Sequence, residues 1–150
     1  MTIRRSALIE LGVVVLLLWL VVYPIGIVLV QAADSEQSAT AGGQLRNALE
    51  ALRDVRTVGD VRGIGLLWAV EFVADKANKR TFPPETNFAG RVAEAARKRG
   101  LLVYPIQGCV DGIRGDHVLI APPAVITEEQ IVWSVGQLRA AVEVAASLLA

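Results

Sequence analysis

Residues 63–73 read Gly-Ile-Gly-Leu-Leu-Trp-Ala-Val-Glu-Phe-Val, an apolar run that opens on two glycines. Its β-branched and aromatic residues favour extended backbone, and the glycines before it suit the entry to a strand. We therefore predict a central β-strand over this run. Glu71 is the charged residue inside it, and we expect its side chain either to face solvent or to pair with an arginine, for which Arg62 is the candidate.

Two shorter apolar runs follow, at residues 101–104 and 118–121, and prolines end both of them. Since proline cannot donate a hydrogen bond to a sheet, each run is typical of a strand that stops at that point. Residues 106–116, between them, contain three glycines and no helical pattern, which predicts a loop. The sequence thus predicts a small sheet of about three strands.

Three segments show the spacing of amphipathic helices. Residues 44–53 place Leu45, Leu49 and Leu52 on one side. A second helix begins at the capping residue Asn87 and runs to Arg99, with Gly100 where a left-handed terminus is expected. The third begins with the capping-box pair Thr127 and Gln130. Its apolar stripe consists of Ile131, Val135, Leu138 and Val142. Together with the strands, these helices predict an α+β fold in which helices cover one face of the sheet.

The amino-terminal part of the chain has a different composition. Residues 11–30 are almost wholly apolar, and twenty helical residues span about the 30 Å hydrocarbon thickness of a bilayer. Arg4 and Arg5 precede the run, while Asp34 and Glu36 follow it, which favours an amino terminus in the cytoplasm. We therefore predict one transmembrane helix and a single-pass membrane protein. The alternatives are a signal peptide cleaved after small residues near Ala32, and a cytoplasmic protein whose leader is not a true span.

The predicted organisation has four parts. Residues 1–10 form an amino-terminal flank, residues 11–30 the transmembrane helix or signal anchor, residues 31–43 a flexible linker, and residues 44–150 a globular domain. The linker prediction rests on the absence of large apolar residues between positions 32 and 43.

Composition excludes several classes of function. Fifteen acidic and fifteen basic residues cancel, and no basic stripe carries aromatic residues, so nucleic acid is not expected as a partner. One cysteine and one histidine are too few for a metal site built from these residue types. The single cysteine, Cys109, also rules out a disulfide within the chain, and we interpret it as a small packing residue.

Several separated blocks resemble class III aminotransferases, the ω-transaminase group that uses pyridoxal phosphate. Residues 58–73 carry the first block, Val-Gly-Asp-Val-Arg-Gly-Ile-Gly followed by the predicted strand. Residues 88–105 resemble the next helix and strand of that family, and residues 115–129 resemble its closing strand and helix. The resemblance covers about residues 44–150. It implies the small carboxy-terminal domain, which closes over the substrate, while the large domain of the family carries the cofactor site.

A cofactor aldimine needs a lysine whose amine is desolvated. Lys76, Lys79 and Lys98 are the only lysines of the chain, and all three stand among polar residues. We therefore expect no catalytic residue in this chain and no pyridoxal phosphate bound by it alone.

Arg114 is the candidate for substrate binding that the resemblance implies, because members of the family bind substrate carboxylate with an arginine in or near the last strand. A guanidinium group suits that bidentate pairing. The alternative interpretation is a solvated loop arginine. His117 beside Asp116 could form a base and its orienter, but no nucleophile accompanies them, which favours a structural role.

The sequence therefore predicts a truncated small domain of a class III aminotransferase. The family reaction moves an amino group from an amine or amino acid to a keto acid, and we do not expect this chain to catalyse it alone. One alternative is a membrane-anchored interaction domain. Another is a domain that complements a separately encoded large domain through an exposed patch to which Leu45, Leu49 and Leu52 contribute. A homodimer partner is the other partner that we consider.

Overall fold

The computed structural model describes residues 39–149, which belong to the second of two units into which the chain divides, Gln37–Ala150. Helix α1 occupies residues 39–50 of the described part and continues into a 3-10 turn, Ala51–Asp54. The remaining elements, in chain order, are β1 (Val58–Ile64), β2 (Leu67–Phe72), a 3-10 turn (Pro84–Thr86), α2 (Phe88–Lys98), β3 (Tyr104–Gln107), β4 (Asp116–Ile120) and α3 (Glu128–Ser147).

The four strands form one antiparallel sheet in the order β1-β2-β4-β3. A tight turn at Gly65, which has a φ of +57°, joins β1 to β2 and brings Ile64 opposite Leu67. The indole Nε1 of Trp68 donates a hydrogen bond of 2.8 Å to the carbonyl oxygen of Gly65, which fixes that turn. The strand predicted from residues 63–73 is therefore central, as β2 pairs with β1 on one side and β4 on the other.

The two faces of the sheet differ in what covers them. Side chains alternate along a strand, and directly paired residues share a face. On one face, Trp68, Val70, Phe72 and Val118 are buried. These residues pack in one core with side chains from the helical segments. Those side chains are Leu45, Leu49, Leu52, Phe88, Val92, Ile131, Leu138 and Val142.

The opposite face is not covered by any helix of the described residues, and we refer to it as the open face. Strand alternation and register place ten residues on it: Asp60, Arg62 and Ile64 of β1, Leu67, Ala69 and Glu71 of β2, His117 and Leu119 of β4, and Tyr104 and Ile106 of β3. Three of its apolar side chains are strongly exposed, with exposed fractions of 83% for Ile64, 53% for Leu67 and 67% for Tyr104.

Aromatic packing fixes the position of α2 over the sheet. The rings of Phe72 in β2 and Phe88 in α2 meet edge to face at a centroid distance of 5.2 Å. The ring of Phe82 stacks on Phe88 at 4.3 Å. All three side chains are buried, so they contribute apolar burial in addition to the directional ring contact.

A buried carboxylate reinforces the same junction. Asp116, at the start of β4, is only 1% exposed. Its Oδ1 accepts hydrogen bonds from the backbone N–H of Ala89, at 3.0 Å, and from Nε2 of Gln107, at 3.3 Å. Ala89 lies in the first turn of α2, where backbone N–H groups lack helical partners and the helix dipole favours negative charge. Asp116 therefore connects β3, β4 and the amino end of α2.

The predicted helix ends are confirmed for α2 and α3. The side chain of Asn87 accepts the N–H of Gly90 at 3.1 Å, and Gly100 has a φ of +83° beyond the other end of α2. At the start of α3, Thr127 and Gln130 form both hydrogen bonds of a capping box. These signals are local to the sequence, which is why they could be predicted without knowing the tertiary fold.

The predicted fold class is wrong in its strand count, because the sheet has four strands instead of about three. The missed strand is β1. Its sequence contains Gly59, Asp60, Arg62 and Gly63, so it lacks the apolar alternation of a typical strand. Pairing with β2 determines its extended backbone. The second predicted strand, residues 101–104, is also displaced, since β3 occupies Tyr104–Gln107.

The prediction of a membrane-spanning helix is also wrong. Within residues 39–149, no helix is long and apolar enough to cross a bilayer, and the predicted span, residues 11–30, lies outside the described residues. The predicted single-pass membrane location is corrected with it. The physical reason is that an apolar run records only hydrophobicity, and hydrophobic segments are buried by protein as well as by lipid.

The predicted flexible linker, residues 31–43, is helical from position 39 onward. Ala41 is only 3% exposed, and a Cβ atom added to Gly42 would come within 2.8 Å of the carbonyl oxygen of Gly65. The small residues that suggested flexibility therefore allow α1 to lie close to the β1–β2 turn. Residues 31–38 lie outside the described part.

Replacing Asp116 with alanine should destabilise the fold. The substitution leaves the N–H of Ala89 buried without its acceptor, which costs about 1–3 kcal/mol. Asp116→Asn is the matched control, since its amide oxygen can still accept that hydrogen bond and a smaller loss is expected. Urea denaturation followed by circular dichroism measures both. Equal stability of the alanine variant and the wild type would contradict the proposed importance of this carboxylate.

Candidate functional site

The loop between β3 and β4 is held in shape by its own backbone. Gly108 donates to the carbonyl oxygen of Gly115 at 2.9 Å, Val110 donates to that of Arg114 at 3.0 Å, and Gly112 donates to that of Gly108 at 2.9 Å. Gly108, Gly112 and Gly115 have φ values of +81°, +86° and +98°, which residues other than glycine rarely adopt. The predicted glycine loop is thus an ordered structure that presents Arg114 at a defined place.

Asp111 holds Arg114 within this loop. Its Oδ1 accepts the backbone N–H groups of Arg114, at 2.7 Å, and Ile113, at 3.0 Å, while its Oδ2 accepts Nε of Arg114 at 2.7 Å. The backbone N–H of Arg114 and then its guanidinium group lower the pKa of Asp111 to about 2. The carboxylate is therefore charged at any physiological pH.

The terminal nitrogens of Arg114 remain available. Its side chain is 58% exposed, and within the described residues only Nε is engaged by an acidic partner. The outer edge of a guanidinium group can donate two parallel hydrogen bonds to a carboxylate. Arg114 can thus bind a carboxylate ligand while Asp111 fixes its stem.

A network of ion pairs extends across β1 and β2 on the open face, and we call it the charged ladder. It consists of Glu50, Arg53, Asp60, Arg62 and Glu71. Nη1 of Arg62 contacts Asp60 at 3.1 Å and Glu71 at 2.5 Å. Nη1 of Arg53 contacts the other oxygen of Asp60 at 2.8 Å, and Arg53 also pairs with Glu50. The expected Glu71–Arg62 pair is confirmed. Burial raises the pKa of Asp60, but the hydrogen bonds from Arg53 and Arg62 outweigh burial and leave that pKa below its ordinary value.

His117 lies next to this ladder, opposite Glu71 in β2 and Ile106 in β3. Its Nδ1 is buried and has no hydrogen-bond partner among the described residues. Burial, followed by the positive charge of Arg62, lowers the pKa of His117, so the ring is neutral near pH 7.

Asp116 does not orient His117. Adjacent strand residues point to opposite faces, and the carboxylate of Asp116 bonds to Ala89 and Gln107 on the covered side. The arrangement of a base and its orienter is therefore absent from this pair. Cys109, interpreted from the sequence as a packing residue, is exposed.

The three lysines are all exposed; Lys76 and Lys79 lie in the turn after β2, and Lys98 lies at the end of α2. Nζ of Lys76 donates to the carbonyl oxygen of Arg53, and Nζ of Lys98 lies 3.7 Å from Glu94. Lys79 has a φ of +55° in the loop after β2. None of them is desolvated as an aldimine-forming lysine must be. In residues 39–149, no group of three or more histidine, cysteine, aspartate or glutamate side chains could hold a metal ion.

Sequence reasoning singled out Arg114 but missed two features around it. One is Asp111, although the Asp-Gly pair at positions 111 and 112 is a typical turn signal. The other is the open face itself, which depends on the sheet register and has no signature within a single segment. Leu45, Leu49 and Leu52, the predicted exposed patch, are in fact buried at 1%, 0% and 0% exposure.

Comparison with known proteins extends the resemblance. A sequence model of the family described as aminotransferase class-III matches residues 25–142. An uncharacterized aminotransferase of Schizosaccharomyces pombe is 45% identical over 97 residues, which are 64% of this chain and 21% of that protein. The uncharacterized aminotransferase YodT of Bacillus subtilis is 41% identical over 112 residues, which are 72% of this chain and 25% of YodT.

Solved structures give the same result. A transaminase from the marine bacterium Virgibacillus superposes with a TM-score of 0.75 at 25% identity, over 83% of this chain and 27% of that one. An (S)-enantioselective ω-transaminase from Thermomicrobium roseum has a TM-score of 0.67 at 31% identity, over 79% of this chain and 25% of that one. The chain therefore spans about a quarter of the length of these relatives.

The family match begins at residue 25, within the stretch predicted as a membrane span. Residues 25–30 are thus shared with aminotransferases, which gives a second reason to correct the membrane interpretation of residues 11–30.

The hydrogen bonds at Asp111 predict an unusual titration. Because the folded pKa of about 2 lies below the ordinary value of 3.8, the carboxylate supports the loop fully above about pH 4 and loses that effect as the pH falls through about 2. NMR titration of the side-chain carboxyl carbon should show this midpoint. Arg114→Ala should raise it only part of the way, because the backbone N–H groups remain. A wild-type midpoint near 3.8 would show that the loop does not form as described.

Proposed function

The chain belongs to the class III aminotransferase family, and we propose that it acts as the small, substrate-covering domain of such an enzyme. The resemblance of about residues 44–150 to that family is confirmed by the family match over residues 25–142. What supports the domain assignment is the combination of a shared fold with a coverage of about one quarter of the relatives' length.

Class III aminotransferases depend on pyridoxal phosphate, which supplies the electron sink for moving an amino group between an amine or amino acid and a keto acid. The residues of this chain do not fit that cofactor. A suitable lysine must be desolvated, yet Lys76, Lys79 and Lys98 are all exposed. The cofactor site therefore belongs to the part of the enzyme that corresponds to the other three quarters of the relatives.

The role of this domain is to bind and shield the substrate. Arg114 is the residue that we assign to the substrate carboxylate. Its Nε is fixed by Asp111 at 2.7 Å, and its outer edge is exposed. This arrangement reduces the conformational freedom that Arg114 would lose on binding, and a bidentate pair orients a carboxylate.

The proposed partner is a large aminotransferase domain, carried either by the same polypeptide or by a separate one. The leucine patch expected to contact it cannot do so, because Leu45, Leu49 and Leu52 form part of the core. The contact must use another surface. A homodimer partner is the second candidate, since an exposed apolar surface can also pair two copies of a chain.

Borohydride reduction of the 150-residue chain with pyridoxal phosphate tests the cofactor assignment. Labelling should spread over Lys76, Lys79 and Lys98, because all three amines are solvated. Mass mapping of the folded chain and of the urea-unfolded chain should give the same pattern, which serves as the control. A stoichiometric adduct at one lysine, present only in the folded chain, would overturn the assignment.

Arg114→Ala should impair substrate binding in the enzyme reconstituted with a large domain. Loss of a hydrogen-bonded charge pair costs about 1.5–3 kcal/mol, or about 10- to 100-fold in kcat/KM for a keto-acid substrate. Turnover of an amine without a carboxylate should be unaffected. Arg91→Ala, at an exposed arginine of α2, is the matched control. Equal losses for both classes of substrate, or for both variants, would contradict the assignment of Arg114.

A further inference from the structure

The open face exposes apolar side chains on a sheet whose other side carries the buried core. Ile64, Leu67 and Tyr104 are 83%, 53% and 67% exposed. Ala69 and Leu119, paired across β2 and β4, lie between them and are half-buried. Contiguous apolar surface of this kind marks an interaction site more often than a solvated surface.

The charged residues of the open face are already paired with one another. Arg62 is bound by both Asp60 and Glu71, and the Glu71 side chain is only 23% exposed. Asp60 is shared with Arg53. A partner that covers this face therefore buries no unpaired charge of the ladder, which is the costly event at interfaces. The ladder is less suited to binding an anionic small molecule, because the guanidinium groups of Arg53 and Arg62 are already paired with carboxylates.

His117 supplies an additional sign that the face is incomplete. Its Nδ1 is buried without a partner among the described residues, and buried polar atoms in native proteins almost always have one.

We propose that the open face is the surface against which the large aminotransferase domain packs. This inference rests on the proposed function and identifies the surface that the partner uses. Relatives with the same fold carry it joined to about three times as much additional chain, since this chain covers 25–27% of their length. The helices α1, α2 and α3 already cover the other side of the sheet, so the open face is the side on which the larger body can contact the sheet.

The outer side of the helices is less suited to a stable interface. The groove between α2 and α3 is lined by the exposed charged residues Arg91, Glu94, Lys98 and Arg99, which stand beside the apolar Val144 and Leu148. Surfaces rich in exposed long charged side chains are depleted from interface cores. The apolar residue Val132 is 63% exposed and belongs to α3, on the other side of the sheet from the open face, and so offers a matched control.

The binding probe is YodT of Bacillus subtilis from which the quarter matched by this chain has been deleted, in a preparation that binds its own deleted quarter supplied separately. The full 150-residue chain is titrated into this probe by isothermal calorimetry. The wild type should bind. Ile64→Asp should weaken binding by about tenfold or more, whereas Val132→Asp should change it by less than about threefold. Both substitutions replace exposed side chains, and the thermal midpoint of each variant checks that it is folded.

Three results would overturn the inference, and they can be told apart. If the wild type does not bind, the proposed function fails and the docking surface with it. If the wild type binds and Ile64→Asp binds equally well, or no worse than Val132→Asp, only the choice of surface fails. If the chain alone forms a dimer that Ile64→Asp dissociates, the open face is an interface between two copies of this chain.

Discussion

The hydrogen bond from Ala89 to the buried carboxylate of Asp116 connects the two halves of this fold. It ties the first turn of α2 to the start of β4, and Gln107 of β3 joins the same oxygen. The edge-to-face rings of Phe72 and Phe88 then hold α2 against β2, and Phe82 stacks on Phe88. With α2 fixed in this way, the helices cover one side of the sheet and the glycine loop lies at the end of β3 and β4. The position of Arg114 is a consequence of this arrangement.

Local signals were read correctly from the sequence, whereas features that depend on pairing between distant segments were not. Asn87, Gly100 and the Thr127–Gln130 pair mark helix ends through hydrogen bonds to neighbouring residues. β1, in contrast, has glycines and charges where a strand usually has apolar residues, and only its pairing with β2 extends it. The burial of Leu45, Leu49 and Leu52 was missed for the same reason. Helical spacing predicts an apolar stripe, but it does not say which part of the protein covers that stripe.

The candidate site shows the same division. Arg114 was identified through resemblance to the family. Its contact with Asp111 could not be predicted in the same way, because it forms only when the turn closes. The open face could not be predicted either, because it depends on the register of four strands. The apolar leader was misread as a membrane span because hydrophobicity alone does not distinguish lipid from protein interior. Together, the exposed lysines, the ordered arginine loop and the open face support the proposal that this domain binds substrate and leaves cofactor chemistry to a partner.

The central claim is that this domain docks on the rest of an aminotransferase through its open face. Hydroxyl-radical footprinting of the chain, free and bound to the trimmed YodT probe, tests it most directly. The account predicts that Ile64, Leu67 and Tyr104 become protected on binding, while Val132 and Trp133 of α3 keep the reactivity that their present exposure allows. Protection of Val132 and Trp133, with unchanged labelling of the open face, would contradict the account.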